Sequence, residues 1–153
     1  MQLQIRESDL TEQKVIALLQ NHLEDMKAIT PPESIHALDL RELKSSALTF
    51  WTAWYGDDLV GCGALKELDS NSGEIKSMRT VKLYRRRGIA SKMLEHIIKE
   101  AQKRGYDCLN LETGALPEFA PARALYDRHG FEYRSPFAEY INDPNSVFMM
   151  KRL

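Results

Sequence analysis

Cysteine is scarce in this 153-residue chain, and the two present, Cys62 and Cys108, each sit inside an apolar stretch. That scarcity excludes a disulfide framework and favours buried, reduced thiols. No CxxC pair or Cys/His cluster occurs, so no metal is expected. An excess of one charge is also lacking: 21 basic against 22 acidic residues leave a net charge of −1. No global field draws the chain to nucleic acid or anionic lipid, so any basic function must be local. Long apolar runs are missing too, and none approaches the roughly 18 residues of a membrane span. The amino-terminal MQLQIRESD has no signal-peptide core, which makes a cytoplasmic protein the expectation.

What is present is ordinary globular composition, 43% hydrophobic and 28% charged, at a length that suits a single domain over residues 1–153. Residues 2–6 alternate as a strand, and Glu7-Ser8-Asp9 offers a cap before a helical pattern. Val15, Leu18, Leu19, His22 and Met26 recur at steps of three and four, marking one buried stripe. Thr30-Pro31-Pro32 stops that helix, and a shorter helix is predicted over 35–45 through Leu38, Leu40 and Leu43. Residues 48–55 and 59–65 read as a hairpin about Gly56-Asp57-Asp58. Residues 74–81 alternate again, with Ile75, Ser77 and Arg79 on one face and Lys76, Met78 and Thr80 on the other. Further strands are predicted over 108–112 and 146–151, and a short helix over 120–129. The order is that of an α+β or mixed α/β layered domain.

The segment YRRRGIASKMLEHIIKEAQKRG, residues 84–105, joins a basic glycine turn to an amphipathic helix. Ala90, Met93, Leu94, Ile97, Ile98 and Ala101 form the apolar face, and Gly105 stops the helix. A strand, a glycine turn and a helix start put several unpaired backbone N–H groups at one point, where an anion fits. The helix dipole adds about half a positive charge there, and Arg85, Arg86 and Arg87 add whole ones, so a pyrophosphate is a natural ligand. Small Gly88 and Ala90 let backbone approach it. Neither a Walker A pattern nor GxGxxG is present, which removes the two commonest nucleotide cradles. The competing reading is a solvated arginine run with no ligand.

Arg85-x-x-Gly88-x-Ala90, between a strand and an amphipathic helix, resembles the acetyl-CoA signature of the GNAT acetyltransferase superfamily, Gln/Arg-x-x-Gly-x-Gly/Ala. A second segment, Ala122-x-x-Leu125-Tyr126-x-x-x-Gly130-Phe131, is similar to that family's later helix, AxxLYxxxGF. The two motifs are separated by a strand, and the element order matches along nearly the whole chain. The resemblance implies a central, mostly antiparallel twisted sheet of about seven strands, flanked by about four helices, with a splayed strand pair holding the cofactor. It also implies acetyl-CoA as cosubstrate and transfer to a primary amine of a small molecule, less readily of a peptide, by direct attack in a ternary complex. A non-catalytic CoA-binding or interaction module of the same fold is the alternative. Homodimers occur in the family, so a homodimer is open.

Carried over residue by residue, the resemblance implicates the backbone of Arg86, Arg87, Gly88, Ile89, Ala90 and Ser91 in holding pyrophosphate, with Arg85 orienting the loop. It places Met78 and Thr80 beside the pantetheine arm. Tyr126 occupies the general-acid position, and a phenol of pKa about 10 can protonate a thiolate. Glu74 lies where some members place a glutamate base, which an amine arriving as ammonium requires. The family frequently has Asn where this chain has Phe119; Phe119 and Pro121 would instead wall the arm with apolar surface beside Ala122, and Pro121 suits a first helical turn. The segments Glu112-Thr113-Gly114 and SPFAEYINDPNSVFMMKRL resemble a bacterial subgroup without assigned substrates. Phe137, Tyr140 and the Trp51/Trp54 strand are candidates for an acceptor pocket or for core. His22 and His129 read as structural. Nucleic acid is not an expected partner, because the helix after the arginines carries Glu95 and Glu100.

Overall fold

Strands form where aromatic and β-branched residues gather, and helices where apolar residues recur every three or four positions. In a computed structural model describing residues 2–35 and 44–153, the chain opens with strand β1 (Leu3–Glu7) and helix α1 (Gln13–Ile29). A meander follows: β2 (Leu48–Tyr55), β3 (Asp58–Asp69) and β4 (Ser72–Thr80). The chain then crosses through α2 (Ile89–Lys103) to β5 (Cys108–Gly114), and ends with α3 (Ala120–Arg128), β6 (Glu132–Arg134) and β7 (Ser146–Arg152). The helix predicted over 35–45 falls mainly on residues 36–43, outside the described residues, which hold three α-helices.

The seven strands make one sheet in the order β1-β2-β3-β4-β5-β7-β6. Every neighbouring pair is antiparallel except β4 and β5, which run parallel. A parallel pair needs a crossover, and α2 supplies it. Side chains of β2 alternate between two cores: Trp51 and Ala53 join Ile89, Met93, Leu94, Ile97 and Ala101 of α2, while Phe50 and Trp54 join Val15, Leu18 and Leu19 of α1. Truncating one of the larger of these to alanine costs about 2–5 kcal/mol, which is how α2 is pinned against the sheet. Trp51 and Trp54 are therefore core, on opposite faces, and not acceptor-pocket walls as the sequence allowed. The Trp54 indole N–H donates to Thr52 Oγ1 at 2.8 Å, and the Arg6 guanidinium lies 4.4 Å from its ring.

Two local expectations change. Ser8 and Asp9 do not cap α1: Ser8 Oγ accepts from the Leu10 N–H and Asp9 Oδ1 from the Thr11 N–H, each at 3.1 Å, closing turns before the helix starts. The strict alternation expected along β4 also breaks. Against β3, the pair Cys62↔Arg79 is followed by Ala64↔Lys76, so β4 carries an extra residue. Ser77 takes φ 56° at this bulge, and the Cys62 thiol donates to the Ser77 carbonyl at 3.2 Å.

The bulge helps to open the sheet. β4 and β5 pair only from Ser72↔Cys108 to Ile75↔Leu111. Beyond that point β5 stays bound to β7 along its whole length, to Gly114↔Ser146. One strand follows β7 and the other bends at Ser77, leaving a fork between the carboxyl ends of a parallel pair. The backbone groups of β4 that would face β5 lack a strand partner there, as on a sheet edge.

Candidate active site

Past the end of β4 a single helical turn, Lys82–Tyr84, leads into the arginine turn. Arg86 and Gly88 have positive φ, 67° and 78°, and α2 begins at Ile89. The Lys92 N–H is bonded to the Gly88 carbonyl at 3.1 Å, so the N–H groups of Ile89, Ala90 and Ser91 precede the helix's own ladder. Successive amides in alternating conformations make an anion-binding concavity. No acidic side chain lies in the first turn of α2. Arg85, Arg86 and Arg87 are exposed, with the Arg87 guanidinium 5.1 Å from the Tyr84 ring. A Cβ added at Gly88 would meet nothing within 4 Å, so within the protein glycine is needed for its positive φ rather than for space.

The fork holds a cleft of about 130 Å³. Glu74, Lys76 and Met78 of β4, Glu112 and Gly114 of β5, Phe119, Ala122 and Tyr126 at α3, His22 and Met26 of α1, and Tyr140 line it. Glu74 is buried, and its Oε2 accepts from the Tyr140 hydroxyl at 2.6 Å and the Lys76 ammonium at 3.3 Å. Lys76 also donates to the Tyr140 oxygen at 3.0 Å, closing a triangle. Tyr140 rests against Phe137 and Phe148, with ring centroids 5.0 and 5.4 Å away.

Burial dominates the electrostatics of this cleft. It pushes the Glu112 carboxyl up to about 7, aided by the charges of Glu74 and Asp143 and opposed by the Ser146 hydroxyl and Lys76. Burial, then the charge of Glu112, raises the Tyr126 phenol and keeps it protonated. Burial and Glu74 do the same to Tyr140. His22 is pushed down to about 4, chiefly by burial and then by Arg79, so it stands neutral at pH 7. Its buried Nδ1 has no hydrogen-bond partner among the described residues.

The fork gathers Tyr126, Glu74, Met78, Phe119 and Ala122 in one cleft, whereas Thr80 lies at the end of β4 opposite Gly61 and outside the lining. Phe137 stands behind Tyr140 rather than in the wall. His129 donates from Nδ1 to the Leu125 carbonyl at 2.9 Å, a helix-end contact. His22 and Met26, the last members of the α1 stripe, face the cleft instead of the core. Sequence reasoning missed Glu112 and Lys76. In CLNLETG the polar Asn110 and Glu112 alternate with Leu109 and Leu111, so Glu112 looks like an ordinary strand position. Phe119 owes its place to Gly114, where a Cβ would overlap its ring.

A seven-stranded mixed sheet forked at a parallel pair, with a free-amide turn at the same end, defines a transferase of the acyl-CoA N-acyltransferase fold. The profile of the Acetyltransferase (GNAT) family matches residues 15–131, and the chain belongs to that family. It is 56% identical over 149 residues to the uncharacterized N-acetyltransferase YsnE of Bacillus subtilis (strain 168), covering 97% of this chain and 99% of that one. Among solved structures it superposes on an acyl-CoA N-acyltransferase from Klebsiella pneumoniae with a TM-score of 0.84 and 30% identity, over 99% and 97% of the two chains. A GNAT acetyltransferase from Elizabethkingia anophelis, with acetyl-CoA bound, shares the fold at a TM-score of 0.71 and 19% identity, over 99% and 98%. Among the described residues no group of three or more His, Cys, Asp or Glu could hold a metal ion, and no helix is long and apolar enough to cross a membrane.

Proposed function

We propose that the protein transfers the acetyl group of acetyl-CoA to a primary amine of a small molecule by direct attack in a ternary complex. The observation that carries this reading is the fork itself, where unpaired strand backbone, a protonated phenol and two carboxyls converge on one cleft. Acetyl-CoA fits what is present. The free amides of residues 86–91 suit pyrophosphate, the open edge of β4 suits the amide groups of pantetheine, and Phe119, Ala122 and Met78 offer apolar cover.

In this reading the acceptor enters as an ammonium ion and loses one proton to a carboxyl at the fork, Glu74 or Glu112. The neutral nitrogen then attacks the thioester carbonyl carbon, the C–N bond forms, and the C–S bond breaks. Tyr126 gives its proton to the departing thiolate and regains one from the nitrogen, directly or through water. The products are the N-acetyl compound and CoA, with one proton released to solvent from the carboxyl. Burial keeps the Tyr126 phenol protonated and so holds the proton in place, while the same upward shift makes it a weaker acid that donates only as full negative charge develops on the sulfur. Cys62 is unsuited to a covalent acetyl intermediate, because full burial pushes its thiol up to about 12.

Calorimetry with acetyl-CoA, followed by a panel of primary amines monitored by CoA release, tests the reading. Cofactor binding with turnover of at least one amine is expected. Absence of binding overturns it, and binding with no turnover across amines and peptides points to a non-catalytic module.

A further inference from the structure

The two carboxyls of the cleft are not equivalent. Glu74 is locked: its side chain is 3% exposed, ion-paired to a Lys76 that is 9% exposed, and it accepts the Tyr140 hydroxyl on the same oxygen. That oxygen is thereby already committed to two donors, and Lys76 and Tyr140 stand between it and an incoming amine's proton. Glu112 is the first residue of β5 past the last β4 pairing, so it stands at the apex of the fork. It lines the same cleft as Tyr126 and sits near enough for its charge to be felt by that phenol.

From this geometry we infer that Glu112 takes the acceptor's proton, and that Glu74, with Lys76 and Tyr140, is a positioning group that holds the apex polar and fixes the acceptor's approach. The assignment rests on the acetyl-transfer reading above. The charged and titratable groups around Glu112 are Glu74 and Lys76 from β4, Asp143 from the loop before β7, Tyr126 from α3, and Tyr140 and His22 across the cleft. Two carboxyls with such different surroundings divide their roles: one stays ion-paired while the other exchanges a proton near the working pH. A base that titrates near 7 is charged often enough to accept a proton and weak enough to release it to water afterwards.

The test compares the full-length wild type with Glu112→Gln and Glu74→Gln, using acetyl-CoA and the panel amine that releases CoA fastest. Glu112→Gln should lower kcat about 100-fold, leave acetyl-CoA affinity unchanged, and remove the ascending limb of kcat/KM near pH 7, leaving only the later rise from deprotonation of the amine itself. Glu74→Gln should keep that limb, displaced, and raise KM for the amine. An aniline acceptor, which arrives unprotonated at neutral pH, should narrow the loss in Glu112→Gln. If acetyl-CoA binds but no amine reacts, the transfer reading fails and the base assignment falls with it, whereas turnover with the limb near pH 7 lost in Glu74→Gln rather than Glu112→Gln overturns the assignment alone.

Discussion

The turn before α2 and the fork between β4 and β5 are both polar, yet they are built in opposite ways. At the turn the side chains are exposed and, in the function proposed, the backbone does the recognising: Arg86 and Gly88 at positive φ and the open amides of the first turn of α2 make the concavity. At the fork the backbone is spread apart and the polar side chains come from five separate segments, α1, β4, β5, α3 and the loop that carries Tyr140. Charge is cheap where water reaches it and costly where it does not, so the turn tolerates three arginines while the fork must pair or neutralise every group. The half proposed to hold the cofactor is thus sequence-local, while the half proposed to react has to be assembled by the fold.

The largest effect should come from Tyr126→Phe, which removes the acid and leaves the ring packed on Phe131, 5.7 Å away. A kcat about 100-fold lower with acetyl-CoA affinity unchanged is expected from steady-state rates and calorimetry. An unchanged kcat would erase the chemical half of the comparison.

Next come Glu112 and His22, two half-buried groups whose pH dependences have opposite sign. Glu112 is raised from 4.5 to about 7, so its contribution to stability is full below pH 4.5 and is lost as pH rises through 7. His22 is lowered from 6.5 to about 4, so its contribution is present above pH 6.5 and is lost as pH falls through 4. Each loss is on the order of 2–3 kcal/mol. Thermal melting across pH should show Glu112→Gln more stable than wild type at pH 8, even as its activity falls, and His22→Gln more resistant at pH 5. Lower stability of Glu112→Gln at pH 8 would mean that the carboxyl is not buried in the way described.

A smaller effect belongs to the turn. Gly88→Val forces a β-branched residue into the left-handed region, at a cost of about 1–2 kcal/mol, and should weaken acetyl-CoA binding about tenfold by calorimetry. Smallest are Arg86→Gln and Arg87→Gln, exposed charges that should each weaken binding only about two- to fivefold, and less at high salt. Loss of binding in either would shift recognition from backbone to side chain.

The same contrast explains what could be read from the sequence. Gly88, Ala90 and the helix that follows are contiguous, and backbone conformation leaves local marks such as a glycine at positive φ, so the turn and the order of elements along the chain were legible. The motif also singled out Tyr126, which lines the cleft. The Glu74–Lys76–Tyr140 triangle was not, because it joins residues 64 and 66 positions apart in the chain. Glu112 looked like an ordinary polar position in an alternating strand, and only the end of the β4–β5 pairing at Leu111 puts it at the apex. The bulge at Ser77 was hidden as well, since serine gives no warning of a positive φ and the alternation around it looked regular.

Amide-resolved NMR during titration of acetyl-CoA into nitrogen-15-labelled protein tests most directly the claim that backbone builds the cofactor half. The account predicts the largest shifts at the main-chain amides of residues 77–80 and 86–91, with small changes at the arginine side chains. Shifts confined to the guanidinium groups of Arg85, Arg86 and Arg87, with the amides of 86–91 unmoved, would contradict it.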